Sequence, residues 1–276
     1  MEFTTIADAK KQTNLSYLGN INTSAKLKKN KTADGQYTYA IYLAPAKQSG
    51  YNVCPFSTPE CRKGCLATSG RAGMEIKAGK TKTADSRIKK SKLFFEHREF
   101  FMDWLIAEIK NGQKRAIKDG YHFSVRLNVT SDIDWANIIH KGQNIFEIFP
   151  DINFYDYTKQ FSKFNNIIPN YHLTYSYTGR NWKQSEELLK RGFNIAVIFN
   201  VKNEIDLPET WRGYKVINGD RSDFRPSDGN GVIVGLKWKN IGNVQLNNEI
   251  KNSIFVVQPV DFESNNVRLQ TAAAGM

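Results

Sequence analysis

Short runs of alternating hydrophobic and polar residues recur along this chain, and one long stretch of helical period stands among the first of them. "QYTYAIYLAP" (36–45) alternates and is rich in β-forming residues, so it predicts a strand. "TADSRIKKSKLFFEHREFFMDWLIAEIKNG" (83–112) brings Phe94, Phe101, Leu105 and Ile109 to one face and predicts a long helix. Strand patterns return as "HFSVRLNVT", "INFYDYT", "YHLTYSYT", "FNIAVIFN", "YKVING" and "GVIVGLKW", and near the end as "SIFVVQP", with helical or mixed segments such as "NWKQSEELLKRG" between several of them. Strands joined by crossovers predict a parallel sheet, most economically an α/β fold with a complete or partial (β/α) TIM-like barrel. A doubly wound open sheet is the other arrangement this order allows. Glycine and proline are scattered as turn punctuation, which predicts one barrel-like domain over 36–259 with an N-terminal extension, 1–35, and a C-terminal tail, 260–276.

The two faces of each strand differ. In "HFSVRLNVT", Phe123, Val125, Leu127 and Val129 alternate with Ser124, Arg126 and Asn128, so one face is apolar and the other polar. "YHLTYSYT" repeats this with Leu173, Tyr175 and Tyr177 opposite His172, Thr174, Ser176 and Thr178, and "GVIVGLKW" sets Gly235 and Lys237 opposite Val234 and Leu236. Branched apolar side chains ordinarily fill a barrel lumen, so a polar inner face predicts a water-accessible cavity in which something binds. Solvated edge strands of an antiparallel sheet would carry the same alternation.

Composition adds direction to this picture. A chain of 276 residues, 40% hydrophobic, has enough apolar material for one large core. No apolar run is long enough to cross a bilayer and the first residues carry no signal-peptide pattern, which points to the cytoplasm. The formal charge of +12 favours nucleic acid, a nucleotide or another anion as partner, although a lysine-rich genome would leave the same excess.

Every cysteine of the chain lies in "NVCPFSTPECRKGC", at Cys54, Cys61 and Cys65. Three thiols cannot all pair, and structural cysteines would be scattered through the core, so the crowding points to a metal or cluster. Structural zinc asks for four ligands, usually with C-x2-C spacing, and a fourth would have to come from His97, His122, His140, His172 or a carboxylate. A cubane iron–sulfur cluster held by only three thiolates would leave one iron open to a small molecule, which favours chemistry over scaffolding.

Other candidates sit at strand ends. Arg126, Asn128 and Ser176 lie on the polar faces as candidate cofactor contacts, whereas Ser131 or Asp132 in "NVTSDIDW" reads as a helix N-cap. Asp156 and Lys159 leave the end of "FYDYTKQ", where barrel enzymes collect catalytic groups. "NGDRSDFRP" supplies Asp220, Asp223 and Arg225, suited to ribose hydroxyls or a carboxylate. Lys237, on an otherwise apolar strand, is suited to an anionic ligand or to proton donation.

Taken in order, "YAIYLAPAKQSGYNVCPFSTPECRKGCLATSGRAG", "FSVRLNVTSDIDW", "IFPDINFYDYTK", "NYHLTYSYTGRN", "NIAVIFN", "VINGDRSDFRP" and "GVIVGLKWK" resemble the bacteriophage gene product 88 family from about Tyr39 to Val257. That resemblance implies a phage origin and carries no activity with it. More loosely, three cysteines in the loop after the first strand of a (β/α) barrel resemble radical S-adenosylmethionine enzymes, which implies a [4Fe-4S] cluster on Cys54, Cys61 and Cys65 and S-adenosylmethionine on its open iron. The spacing departs from that superfamily's usual C-x3-C-x2-C with an aromatic residue before the last cysteine, since this chain has C-x6-C-x3-C and Gly64. The expectation is a phage iron–sulfur enzyme acting on a nucleic acid or nucleotide, with catalytic Asp156, Lys159 and Lys237 and cofactor contacts from Arg126, Asn128, Ser176, Asp220 and Asp223. The cysteine loop should then share one mouth with Asn128, Asp156, Ser176, Asp220 and Lys237. Two alternatives stand beside it: a nucleic-acid-binding protein with a structural metal or iron–sulfur site, and a zinc-dependent hydrolase.

Overall fold

A computed structural model describes residues 1–22, 24–65, 73–75, 78–241 and 243–262. Within them β1 (Gly19–Ile21), β2 (Gln36–Ile41), β3 (His122–Arg126), β4 (Asn153–Thr158), β5 (Tyr171–Ser176), β6 (Asn194–Phe199), β7 (Thr210–Trp211), β8 (Tyr214–Asn218) and β9 (Ile233–Lys237) form one sheet in the order β1-β2-β3-β4-β5-β6-β9-β8-β7. From β2 through β6, β9 and β8 every pairing is parallel, while β1 and β7 are antiparallel to their neighbours and stand at the two edges. Parallel strands need crossovers, and the helices supply them. No pairing joins β1 to β7 among the described residues, so the sheet is open.

The apolar faces find the helices that the pattern promised. Val125, Leu127 and Phe154 pack with Phe94, Phe101, Trp104 and Leu105 in one core cluster. Tyr175, Ile195, Val197 and Phe199 pack with Leu188 and Leu189 of the amphipathic helix that follows β5 in a second. The long helix expected over 83–112 is two, Lys82–Glu96 and Arg98–Lys118, because His97 leaves helical geometry (φ −136°, ψ 58°). Aromatic packing accounts for the bend: Phe94 meets Phe101 edge-on at 5.2 Å, and the guanidinium of Arg98 lies 3.8 Å from the Phe94 ring centre.

Two expectations about the chain's outline change. Residues 1–35 are built into the domain, since β1 pairs with β2 and Glu108, on the second of those helices, accepts hydrogen bonds from Leu18 N, Gly19 N and Tyr39 Oη. Helix α1 (Ile6–Thr13) packs beside it with Ala9 wholly buried. "SIFVVQP" is not a strand, because only Val257 meets the sheet, in a single bridge to Phe199. Gly179 explains why the chain turns there: at φ +89° its position brings an added Cβ within 2.3 Å of Ile254 O, so only glycine lets the two segments touch. The tail from 263 onward lies outside the described residues. No helix among the described residues is long and apolar enough to cross a membrane.

The polar face is covered too. Helix α2 (Ala25–Asp34) lies on it, with Asn30 wholly buried. Its Nδ2 donates to Thr38 Oγ1 (2.9 Å) and Tyr155 Oη (3.0 Å), and its Oδ1 accepts from Asp223 N (2.7 Å). One amide side chain therefore ties the helix to two strands and to the loop after β8.

Candidate functional site at the carboxyl ends of the strands

The cysteine loop leaves the end of β2 and spans the carboxyl ends of its neighbours. Val53 O accepts from Asp132 N (2.7 Å), and the Cys54 thiol donates to Thr130 O (3.7 Å), both in the segment after β3. Helix α3 (Pro59–Lys63) begins at Thr58, whose side chain accepts from Cys61 N, with proline in the first turn where its missing N–H costs nothing. Glu60 takes an ion pair from Arg180, in the loop after β5 (3.2 Å), and Lys63 pairs with Glu249 (2.5 Å). Gly64 closes the helix against Trp238, just beyond β9: a Cβ there would sit 3.2 Å from the indole ring. The loop thus lies across the carboxyl ends of the strands.

The three half-buried thiols of this loop are not joined by disulfides. Burial pushes the Cys54 thiol up to about 11, and charge on Cys65 and Cys61 would push it further. Lys159, directly after β4, interacts with the same cluster: burial works against its charge, yet Cys61, which hydrogen-bonds it, together with Asp132 and Cys54 holds its pKa above the ordinary lysine value. Burial lowers the Arg87 pKa, while Tyr42, over whose ring the guanidinium lies, and Cys65 act in the opposite direction. Asp132 is the organiser of this corner. Its carboxylate accepts from Thr158 Oγ1 (2.7 Å), Lys159 N (2.8 Å) and Lys163 Nζ (3.0 Å), a far larger role than the N-cap read from "NVTSDIDW".

What the donor set fits can be judged from its chemistry. Among the described residues no group of three His, Cys, Asp or Glu converges as a single metal ion requires. The cysteine loop therefore does not present the tetrahedral donor set of structural zinc among the described residues. The zinc-hydrolase alternative lacks its ligand set among these residues.

The polar faces hold no open lumen at Arg126 and Asp223. Arg126 Nη1 pairs with Asp223 at 2.6 Å, and Lys26 of α2 reaches the other oxygen at 3.0 Å. Burial would raise the Asp223 pKa, but Arg126 and Lys26 overcome it and hold the group at about 2. Arg225 and Asp228 add a further ion pair at 3.1 Å. The expected water-accessible cavity is thus filled by α2 and the 220–228 loop. Asn128 is likewise committed: its Oδ1 accepts from Ser131 Oγ, Ile133 N and Trp135 Nε1, and its Nδ2 donates to Ile133 O.

Asp156 shares its side of β4 with Phe154 and points toward the helix layer, accepting from Asn128 N (2.8 Å) and Tyr171 Oη (3.1 Å). Burial pushes its pKa up to about 7, with Arg126 pulling the other way, so it exchanges a proton near neutrality. The folded value exceeds the ordinary 3.8, so the stability contributed by the protonated form is complete below about pH 4 and is lost as pH rises toward 7. Asp156→Asn should remove that decline, which in wild type has a slope of up to about 1.4 kcal/mol per pH unit. Urea unfolding at pH 4.5 and 7 compares the two, and parallel pH profiles would show that Asp156 is ionised throughout.

Ser176 ends β5 beside Ala196. Lys237 does not lie on the inner side, because its register partner is Phe199, which packs in the apolar cluster. Gly235 marks a close approach of Val216 to the strand and not a lumen. As the last residue of β9, Lys237 nevertheless lines a cleft together with Asp220, whose carboxylate accepts from Lys237 N (2.8 Å) and pairs with Lys239 (3.0 Å). Burial opposes ionisation of Asp220, but Lys239 and that N–H hold its pKa below the ordinary value. Sequence reasoning missed Lys26 and Lys29, which also line the cleft. Their one visible signal was the run of lysines in "AKLKKNK", set aside with the extension.

A family model described as Gene product 88 matches residues 13–254, taking in the cysteine loop, α2 and all nine strands. No curated protein and no solved structure matches the chain.

Proposed function

We propose that this chain, which belongs to the gene product 88 family, is an iron–sulfur enzyme whose Cys54, Cys61 and Cys65 hold a [4Fe-4S] cluster and whose substrate is a nucleic acid or nucleotide. The observation that carries this reading is the placement of the loop bearing Cys54, Cys61 and Cys65 at the carboxyl ends of parallel strands, with Lys159 acting on Cys61 and Cys54. Parallel strands kept in chain order from β2 to β6 are read here as a partial (β/α) barrel, whose strand ends are where such folds collect their chemistry. The chemistry a cluster with an open iron supplies is one-electron reduction of a bound S-adenosylmethionine.

The chain's own groups have definite tasks in this reading. Lys159 offsets the negative charge that ligation requires of Cys61 and Cys54. Trp238, Ile250 and Phe255, packed against Cys61, keep water from that side of the loop. The Cys54 proton is held on a thiol with a raised pKa, so ligation must displace it and uptake of the cluster should release protons.

Anaerobic reconstitution with iron and sulfide tests the proposal. The protein is expected to turn brown and to hold about four irons per chain. Lys159→Gln should keep the iron but show a lower reduction potential, because a cation beside the thiolates has gone. One tightly held zinc with no uptake of iron would overturn the reading.

A further inference from the structure

We propose that a second site at this mouth, separate from the cysteine loop, binds the phosphate chain of a compact ligand such as a nucleoside di- or triphosphate. It is a cleft of about 830 Å³ between the first turn of α2 and the ends of β6, β8 and β9. That volume is in the range of small-molecule sites, about 300–1,000 Å³. Lys26 and Lys29 enter from α2, Lys202 follows β6, Lys237 ends β9 with Lys239 just beyond it, and Lys251 closes the helix Val244–Lys251. Glu204 and Asp220 are the acidic residues of the cleft's lining, and Lys26 is already paired with the buried Asp223 beneath it.

The arrangement differs from a solvated lysine face. On a convex surface like charges spread apart, whereas here they are gathered around one concavity, where mutual repulsion favours a bound anion. Asp220 is engaged by Lys239, Lys237 N and, through its carbonyl, Lys29. Lys202, Lys237 and Lys251 have no ion-pair partner among the described residues. The amino end of α2, capped by Ser24, adds its unpaired backbone N–H groups and the positive end of its dipole. Several neighbouring negative charges are needed to balance this set, which a phosphate chain supplies and a single carboxylate does not. A ligand with a cationic sulfonium is disfavoured here. Trp238 separates the two sites: it lines the cleft, is only 8% exposed, and meets Gly64 of the cysteine loop on its other side.

Isothermal titration at low salt with tripolyphosphate, ATP and adenosine tests the assignment. Tripolyphosphate and ATP should bind, weakening steeply with added salt, and adenosine should not. The double variant Lys202→Glu/Lys251→Glu, whose replaced side chains hold no structural partner, should bind both at least about tenfold more weakly, with an unchanged thermal midpoint. Equal binding by that variant, or no binding of either phosphate compound by wild type, overturns the site. A short single-stranded DNA distinguishes the source of the phosphates: DNA that ATP displaces is consistent with the cleft, whereas DNA binding without ATP binding overturns the compact ligand. A variant with all three cysteines changed to serine should bind ATP as wild type does, so a failed cluster and a failed cleft are told apart.

Discussion

Replacing Cys54, Cys61 or Cys65 singly by alanine is expected to cut the iron held after anaerobic reconstitution from about four per chain to almost none. The three positions should be equivalent in this respect because no group near them among the described residues substitutes for a thiolate. Cys54 lies against a backbone carbonyl, Thr130 O, and the charged groups acting on the cluster are the cations Lys159 and Arg87 and the fully engaged Asp132. The fold should survive each change. Cys54 and Cys61 are only partly buried at the borders of their apolar clusters, so truncation leaves a small gap costing about 1 kcal/mol, visible in urea unfolding and separable from the loss of iron. A chain in which only one of the three alanine variants lost iron would not be ligating a cluster through this loop.

Arg126→Leu is expected to lower the free energy of unfolding by about 3 kcal/mol or more. The loss comes less from the missing attraction than from what is left behind, an Asp223 carboxylate wholly buried beneath α2 with Lys26 as its ion-pair partner and Arg225 nearby. Because Asp223 titrates at about 2 in the fold, against an ordinary 3.8, it contributes stability above about pH 4 that disappears as pH falls toward 2. In the leucine variant that acid-labile window should move upward, and Asp223→Asn in the same background should recover part of the loss. Urea unfolding from pH 2 to 7 follows both effects. If Arg126→Leu cost less than about 1 kcal/mol, Asp223 would have to be reached by water, and the polar face would be an open cavity after all.

Alternation along the chain determined the strands and their two faces, because side chains on a strand point to opposite sides whatever surrounds it. Val125, Leu127 and Phe154 took the apolar side, and Ser124 and Arg126 the polar one, from their spacing alone. The cysteine loop was legible as one segment, since Cys54, Cys61 and Cys65 are close in the chain and follow the strand pattern that became β2. Helical crossovers implied the parallel order, and β2 to β6 follow it. What covers the polar face could not be read, for its partners lie far along the chain: Asn30 meets Tyr155 and Asp223, and Lys26 meets Asp223, only when the sheet has formed. Strand parity also failed for Lys237, because alternation says that two faces exist and the packing of Phe199 beside it decides which is which. Edge strands as short as β1 and β7 carry no period of their own, and Val257 joins the sheet through one bridge that its β-rich neighbours do not extend. Local pattern settled what each segment is, and long-range pairing of buried charge and amide groups decided where the ends of the chain go.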